Sequence, residues 1–130
     1  MIPQPCEVQS ARPLVLIIDE DETARDLYGR WFFVQGFEVM CAVGTTGLAM
    51  ALRRDRPQLI VTELCARDLT LSALTARLRS EQSTRCIPVL VLTSSSDSTE
   101  VAAAKSAGAT AVLPKWCDFG LLHSWVSSLL

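Results

Sequence analysis

The sequence predicts a single α/β domain in which helices cover both faces of a parallel sheet. The chain has 130 residues, which is the length of one folding unit. Apolar residues make up 49% of it and charged residues 20%, the composition of a packed globular domain. Short apolar runs alternate five times with stretches of helical periodicity. Because the connections between them are short, this alternation favours a parallel sheet.

The five predicted strands are short runs of mostly branched apolar residues. The first, at 14–18, ends in charged residues, which is typical of a strand buried on both faces. Pro88 opens the most regular β-branched run of the sequence. The predicted strands span residues 14–18, 37–43, 59–62, 89–92 and 111–113.

The predicted helices lie between and after these strands. Leu27, Trp31 and Val34 recur at helical spacing, and Gly36 ends the stretch. We assign Trp31, Phe32 and Trp125 to the core, because aromatic residues on an apolar helix face are more often buried than exposed. The predicted helices span residues 23–35, 47–54, 71 to about 83, 98–107 and 119–130.

Charge, hydropathy and cysteine spacing exclude several functional classes. Twelve basic and fourteen acidic residues give a net charge of −2, too balanced to indicate a nucleic-acid or membrane surface. No apolar run approaches the ~20 residues that span a bilayer. The five cysteines form no CxxC pair, which favours reduced thiols in a cytoplasmic protein. We expect residues 1–12 to be a flexible tail and residues 13–130 to be the domain.

The chemically informative residues follow the predicted strands. Ligands bind at the carboxyl ends of the strands in an open parallel sheet. The first strand is followed by four consecutive acids at 19–22 and no glycine, so the phosphate-binding loop of a nucleotide site is missing. Carboxylate oxygens attract hard divalent cations, which indicates an acidic pocket. The alternative is a solvated helix start stabilised by the helix dipole.

Four segments in the same order resemble response-regulator receiver domains, the CheY-like family. They are residues 16–22, 57–63, 87–94 and 108–115, and the similarity runs from about Pro13 to Leu130. The resemblance implies a flavodoxin-like (CheY-like) sheet of five parallel strands in the order 2-1-3-4-5. It also implies signalling in a two-component system through protein partners: a histidine kinase, an output protein or another receiver. Dimerisation is implied through the face formed by the fourth helix, fifth strand and fifth helix.

The resemblance assigns a role to each pocket position. Asp19 and Glu20 correspond to the Mg²⁺-binding acids, with Asp21 beside them in the acidic pocket. Glu63 stands at the phosphoacceptor position, where the family has aspartate. The switch hydroxyl corresponds to Thr93, the switch aromatic is replaced by Val112, and Lys115 is the family's lysine. Trp116 replaces the usual proline, which predicts a trans Lys115–Trp116 bond.

These departures predict an atypical receiver, a pseudo-receiver that is not phosphorylated in the usual way. The additional methylene of Glu63 moves the attacking oxygen by about 1–1.5 Å, which can cost about a hundredfold in rate. The longer side chain is expected to approach Thr93 and Lys115 directly. Mg²⁺ binding by Asp19, Glu20 and Glu63 is expected to be weak or lost, because Mg²⁺ requires near-octahedral geometry. The alternative is a phosphorylatable receiver that uses Glu63 or a neighbouring acid with Mg²⁺.

No catalytic residue is predicted elsewhere, so we do not expect an enzyme. His123, the only histidine, lies on the last predicted helix and away from the strand ends. No serine–histidine or cysteine–histidine pair can therefore be built at the pocket. His123 is interpreted as a surface or boundary residue. Cys65 follows the pocket without an evident base, and the alternatives are a reactive thiol and the more usual inert one.

Overall fold

The structure is a computed structural model and describes residues 12–130. The predicted tail therefore lies outside the described residues, apart from Arg12, which is exposed. Residues 12–130 form seven strands and five helices. The strands are β1 (Leu14–Ile18), β2 (Glu38–Ala42), β3 (Leu59–Thr62), β4 (Cys65–Ala66), β5 (Leu69–Thr70), β6 (Val89–Thr93) and β7 (Ala111–Pro114). The helices are α1 (Glu22–Val34), α2 (Gly44–Arg54), α3 (Leu71–Arg79), α4 (Ser98–Ser106) and α5 (Phe119–Leu129).

The main sheet has five strands in the order β2-β1-β3-β6-β7, and every neighbouring pair is parallel. The two short strands β4 and β5 pair with each other in an antiparallel hairpin. Without this hairpin the order is 2-1-3-4-5, so the predicted flavodoxin-like topology is confirmed. No helix within residues 12–130 has both the length and the apolar character required to cross a bilayer.

Two cores form, one on each face of the sheet. On one face, Tyr28 and Phe32 of α1 and Leu122 of α5 pack against β1, β3 and β6. On the other face, residues of α2, α3 and α4 pack against the alternate side chains of the same strands. The central strands β3 and β6 are buried at every position, as expected for strands covered by helices on both faces.

The buried faces of the helices differ from the sequence prediction. The buried stripe of α1 is Ala24, Tyr28 and Phe32, whereas Leu27 and Val34 are 40% and 77% exposed. Phe32 is in the core as predicted, but Trp31 is only half-buried and Trp125 is 39% exposed. The buried stripe is displaced by one position from the predicted stripe. Both sets of residues have helical spacing, so spacing alone does not distinguish them.

The third helix ends at Arg79, about four residues earlier than predicted. The chain beyond it forms turns, in which the Arg85 N–H donates to the Glu81 carbonyl at 3.0 Å, and side-chain hydrogen bonds hold these turns. The Thr84 hydroxyl donates to the Leu78 carbonyl at 2.7 Å, and the Arg79 guanidinium donates to the carbonyls of Arg85 and Ile87 at 2.8 and 3.0 Å. The Thr84 bond satisfies the Leu78 carbonyl, which the backbone of a longer helix would otherwise have bonded.

The β4–β5 hairpin replaces a loop and was not predicted. Its turn residue Arg67 has a left-handed φ of 63°, and the next residue, Asp68, contacts α2. The Asp68 carboxylate accepts a hydrogen bond from the Thr45 backbone N–H at 2.8 Å. The N-cap residue of α2, Val43, makes no side-chain capping bond, so Asp68 supplies the missing cap from a distant part of the chain. Gly44 (φ 76°) permits this approach, since an added Cβ would lie 2.7 Å from the Asp68 carboxylate.

We predict that Asp68→Ala lowers the free energy of unfolding by about 1 kcal/mol, because the first turn of α2 loses its only side-chain cap. Urea unfolding followed by circular dichroism measures the change. Asp55→Ala is the matched control: Asp55 is an exposed acid just after the other end of α2, and its removal should change stability by less than about 0.5 kcal/mol. Equal effects of the two substitutions would refute the capping role.

Candidate functional site

The predicted pocket residues lie at the carboxyl edge of the main sheet. Asp19 directly follows β1, Glu63 follows β3, Thr93 ends β6 and Lys115 follows β7. Backbone hydrogen bonds fix these positions: Glu63 N–H donates to the Ile18 carbonyl at 3.2 Å, and Lys115 N–H donates to the Thr93 carbonyl at 2.7 Å. The strand ends therefore hold the side chains on one rigid edge.

The Lys115 ammonium lies between two carboxylates. Its Nζ is 2.8 Å from Asp19 Oδ2 and 3.4 Å from Glu63 Oε2, and the Lys115 side chain is only 7% exposed. Burial alone would lower the pKa of Lys115. The hydrogen bond and charge of Asp19, together with Glu63, outweigh that effect, so the pKa is raised. Lys115 is thus the counter-charge that allows two acids to sit side by side.

Both oxygens of the Glu63 carboxylate are engaged. Oε1 accepts from the Leu64 backbone N–H at 2.8 Å. Oε2 accepts from the Ser94 backbone N–H at 3.1 Å and from its hydroxyl at 3.4 Å, in addition to its ion pair with Lys115. Two backbone donors, one hydroxyl and one ammonium therefore surround a single carboxylate.

The expected direct approach of Glu63 to Thr93 is not among the hydrogen bonds of the described residues. The Thr93 hydroxyl accepts instead from the Ser95 backbone N–H at 3.0 Å, and Thr93 is 2% exposed. Its neighbour Ser94 makes the contact with Glu63 through its backbone. Sequence reasoning missed this donor because a backbone N–H leaves no signal in the residue type.

The three acids after β1 do not converge on one point. Asp19 Oδ1 accepts from the Asp21 backbone N–H at 2.9 Å, and the Asp21 side chain caps α1 by accepting from Thr23 N–H at 3.0 Å. Glu20 is exposed. The Arg25 guanidinium donates to the Asp19 carbonyl at 2.7 Å, which places a positive charge beside the acids.

As placed, these residues do not fit Mg²⁺. No group of three or more His, Cys, Asp or Glu side chains within the described part of the chain is arranged to hold a metal ion. Asp19 and Glu63 already share the Lys115 ammonium, and a divalent ion prefers a set of free oxygen ligands.

An aromatic stack borders the pocket and was not predicted. Trp116 has a left-handed φ of 65° and its backbone N–H donates to the Tyr28 hydroxyl at 2.7 Å. The two rings stack at 5.5 Å, and Lys115 Nζ is 6.0 Å from the centre of the Trp116 ring. Peptide bonds are trans throughout residues 12–130, including the Lys115–Trp116 bond, as predicted. Burial raises the pKa of Tyr28, which keeps its hydroxyl neutral.

The remaining candidates stay away from the pocket chemistry. Val112 is half-buried and packs with the α2–α3–α4 core. His123 is exposed and meets the edge of the Trp31 ring at 6.4 Å, so its interpretation as a surface residue is confirmed. The exposed Cys65 thiol donates to the Arg67 carbonyl at 3.4 Å and has no base beside it among its hydrogen bonds.

The pocket can hold negative charge and neutralise it, because the Lys115 ammonium contacts both Asp19 and Glu63.

The raised pKa of Lys115 predicts how stability depends on pH. A lysine has a pKa of about 10.4 in an unfolded chain. Because the folded value is higher, the stabilisation by Lys115 is complete below about pH 10 and is lost as the pH rises through the folded pKa. Lys115→Met should therefore destabilise the protein strongly at pH 7, and its difference from the wild type should narrow as the pH rises towards about 11.

Urea unfolding at several pH values measures this difference. Lys105→Met is the matched control, since Lys105 is the other lysine of the sequence and is exposed on α4. Its effect should be small and independent of pH in the same range. A Lys115→Met effect that stays constant, or grows, as the pH rises would contradict the role of this ammonium.

Comparison with known proteins agrees with this architecture. The sequence profile of the response regulator receiver domain matches residues 15–127. The transcriptional regulatory protein GltR of Pseudomonas aeruginosa is 28% identical over 83 residues, which cover 64% of this chain and 34% of GltR. This chain therefore spans about a third of the length of that relative.

Solved structures show the same fold. The receiver domain of a signal transduction histidine kinase from Syntrophus aciditrophicus superposes with a TM-score of 0.81 at 25% identity, covering 91% of this chain and 89% of the other. The chemotaxis response regulator CheY4 of Vibrio cholerae superposes with a TM-score of 0.82 at 20% identity, covering 92% of this chain and 100% of the other. Together with the profile match, these similarities show that the chain belongs to the response regulator receiver domain family of two-component signalling.

Proposed function

We propose that this chain is an atypical receiver, a pseudo-receiver that signals through protein–protein contact and is not phosphorylated in the usual way. The observation that carries the proposal is the Glu63 carboxylate, which is already held by two backbone N–H groups and the Lys115 ammonium. The function is signalling and not catalysis.

Phosphorylation of Glu63 would require one of its oxygens to attack phosphorus. Hydrogen bonds to a charged group contribute about 1.5–3 kcal/mol each, and an attacking oxygen must give up part of that stabilisation. The additional methylene also displaces the oxygen from the position that an aspartate would provide. A displacement of about 1 Å can reduce a rate by about a hundredfold. Both effects lower the rate at which Glu63 would be phosphorylated.

The glutamate also keeps a permanent negative charge next to Lys115. A phosphoryl group carries about 1.5 to 2 negative charges at neutral pH, and a carboxylate carries one. Glu63 therefore supplies part of the charge that phosphorylation would add, without any reaction. Val112 has no large ring that could change rotamer, which supports a fixed docking module and not a two-state switch.

The proposed partners are proteins: a histidine kinase, an output protein or another receiver. The face formed by α4, β7 and α5 is the proposed contact surface, including for a dimer. Leu121 and Trp125 lie one helical turn apart on α5 and are 41% and 39% exposed, and exposed apolar side chains of this size are typical of interfaces. A cytoplasmic location is proposed with this function.

We predict that phosphodonors do not modify the wild-type protein, whereas Glu63→Asp gains phosphoryl incorporation by about a hundredfold in rate. The shorter aspartate withdraws the attacking oxygen from the donors that now surround it. Intact-protein mass spectrometry after incubation with acetyl phosphate or phosphoramidate and Mg²⁺ measures incorporation.

Glu63→Gln is the control, because it keeps the side-chain length and removes the nucleophilic carboxylate. Stoichiometric phosphorylation of the wild-type protein would overturn the proposal, and peptide mapping would then distinguish Glu63 from a neighbouring acid. Incorporation that is equal in the wild type, Glu63→Asp and Glu63→Gln would place the reaction at a different residue.

Weak or absent Mg²⁺ binding is a separate prediction. We expect ~10 mM Mg²⁺ to change the melting temperature by less than ~1 °C, because a ligand that binds the native state weakly adds little stability. Thermal unfolding in MgCl₂ and in NaCl of equal ionic strength measures this change in melting temperature. A saturable stabilisation by Mg²⁺ that Asp19→Asn abolishes would show a working metal site.

A further inference from the structure

A groove of about 620 Å³ runs between α1 and the β2 edge of the sheet. Its walls carry the apolar side chains of Phe33, Val34 and Val39, with Cys41 among them. Phe33 and Val34 are 61% and 77% exposed, although both belong to a helix whose other face is core. This much apolar surface beside an open sheet edge is unusual unless something covers it.

The described part of the chain begins at one end of this groove. Arg12 lies with its guanidinium 5.6 Å from the centre of the Phe33 ring. The carbonyl of the next residue, Pro13, accepts from Glu38 N–H at 2.8 Å, which fixes the chain next to the start of β2. Any residue that precedes Arg12 therefore starts from the Phe33 end of the groove.

We propose that the groove is the docking site of residues 1–11 of this same chain. Glu22 and Val34, the first and last residues of α1 that line the groove, are twelve residues apart, a distance of about 18 Å along a helix. An extended chain covers about 3.3 Å per residue, so the six steps from Arg12 back to Cys6 cover about 20 Å and span the groove. The segment is long enough to occupy it completely.

The composition of the segment matches the groove. Residues 1–11 include Met1, Ile2 and Val8 with two prolines, and Glu7 is their only charged side chain. The rim of the groove carries two acids and two arginines, and Arg30 is paired with Asp26 at 3.2 Å. A balanced rim neither attracts nor repels a nearly neutral segment, so apolar burial decides the binding.

The cysteines of the chain provide the test. Docking from the Phe33 end brings Cys6 to the opposite end of the groove, where Cys41 lies near the charge of Arg25. The experiment treats the full chain with a limiting amount of diamide, which takes two electrons and two protons from a pair of thiols and becomes the hydrazine. Non-reducing peptide mapping then identifies each disulfide. Cys65, Cys86 and Cys117 are internal controls, since the first two are exposed and the third is half-buried.

We expect an intramolecular Cys6–Cys41 disulfide to predominate several-fold over disulfides of Cys6 with the other cysteines. Phe33→Ser should reduce its yield several-fold. Met50→Ser is the matched control, since Met50 is 59% exposed and lines a separate groove beside α2. Circular dichroism would verify that both variants are folded.

Three outcomes would overturn the proposal. Cys6 could react with all cysteines in similar yield, which would show that the segment has no preferred site. Disulfides between two molecules through Cys41 would show that a second copy covers the groove. A yield that falls with Met50→Ser and not with Phe33→Ser would place the segment beside α2.

Discussion

The site depends on one buried ammonium placed between two carboxylates. Asp19 and Glu63 come from different strands, and only the Lys115 Nζ, at 2.8 and 3.4 Å, makes their proximity favourable. Removing that charge would leave two like charges close together in a poorly solvated pocket, which is costly. The ends of β1, β3 and β7 are therefore coupled electrostatically, in addition to the backbone ladder that joins them through β6.

A glutamate changes what this arrangement can do. With one more methylene than an aspartate, Glu63 reaches the backbone donors of Leu64 and Ser94 and is held there. The pocket then neutralises its own carboxylate, and a group arriving from solution would have to displace it. The same arrangement accounts for the expected loss of Mg²⁺ binding, since oxygens of Asp19 and Glu63 are already paired with the Lys115 ammonium and Mg²⁺ requires near-octahedral geometry.

Much of the fold could be predicted from the sequence, because it is set by local periodicity. The five main strands and five helices were found with small boundary errors, and the alternating order fixed a parallel sheet. The structure differs from the prediction where tertiary contacts determine the local conformation. The β4–β5 hairpin is accompanied by a distant contact, the cap that Asp68 provides to α2. The end of α3 is set by side-chain bonds from Thr84 and Arg79, and the buried face of α1 by the partners it meets across the sheet.

The sequence alone determined which acids, which hydroxyl and which lysine stand at the strand ends. Locating them requires only the predicted end of each strand and the residue types found there. The resemblance of that sequence to the family also predicts that Glu63 stands where the family has an aspartate. Only the tertiary structure decided which donors meet that glutamate. The Ser94 backbone N–H, and not the Thr93 hydroxyl, lies within reach of the carboxylate. Tyr28 meets the backbone of Trp116 across 88 positions of sequence. Contacts of this kind depend on where chain segments lie in space, and residue identity does not encode them.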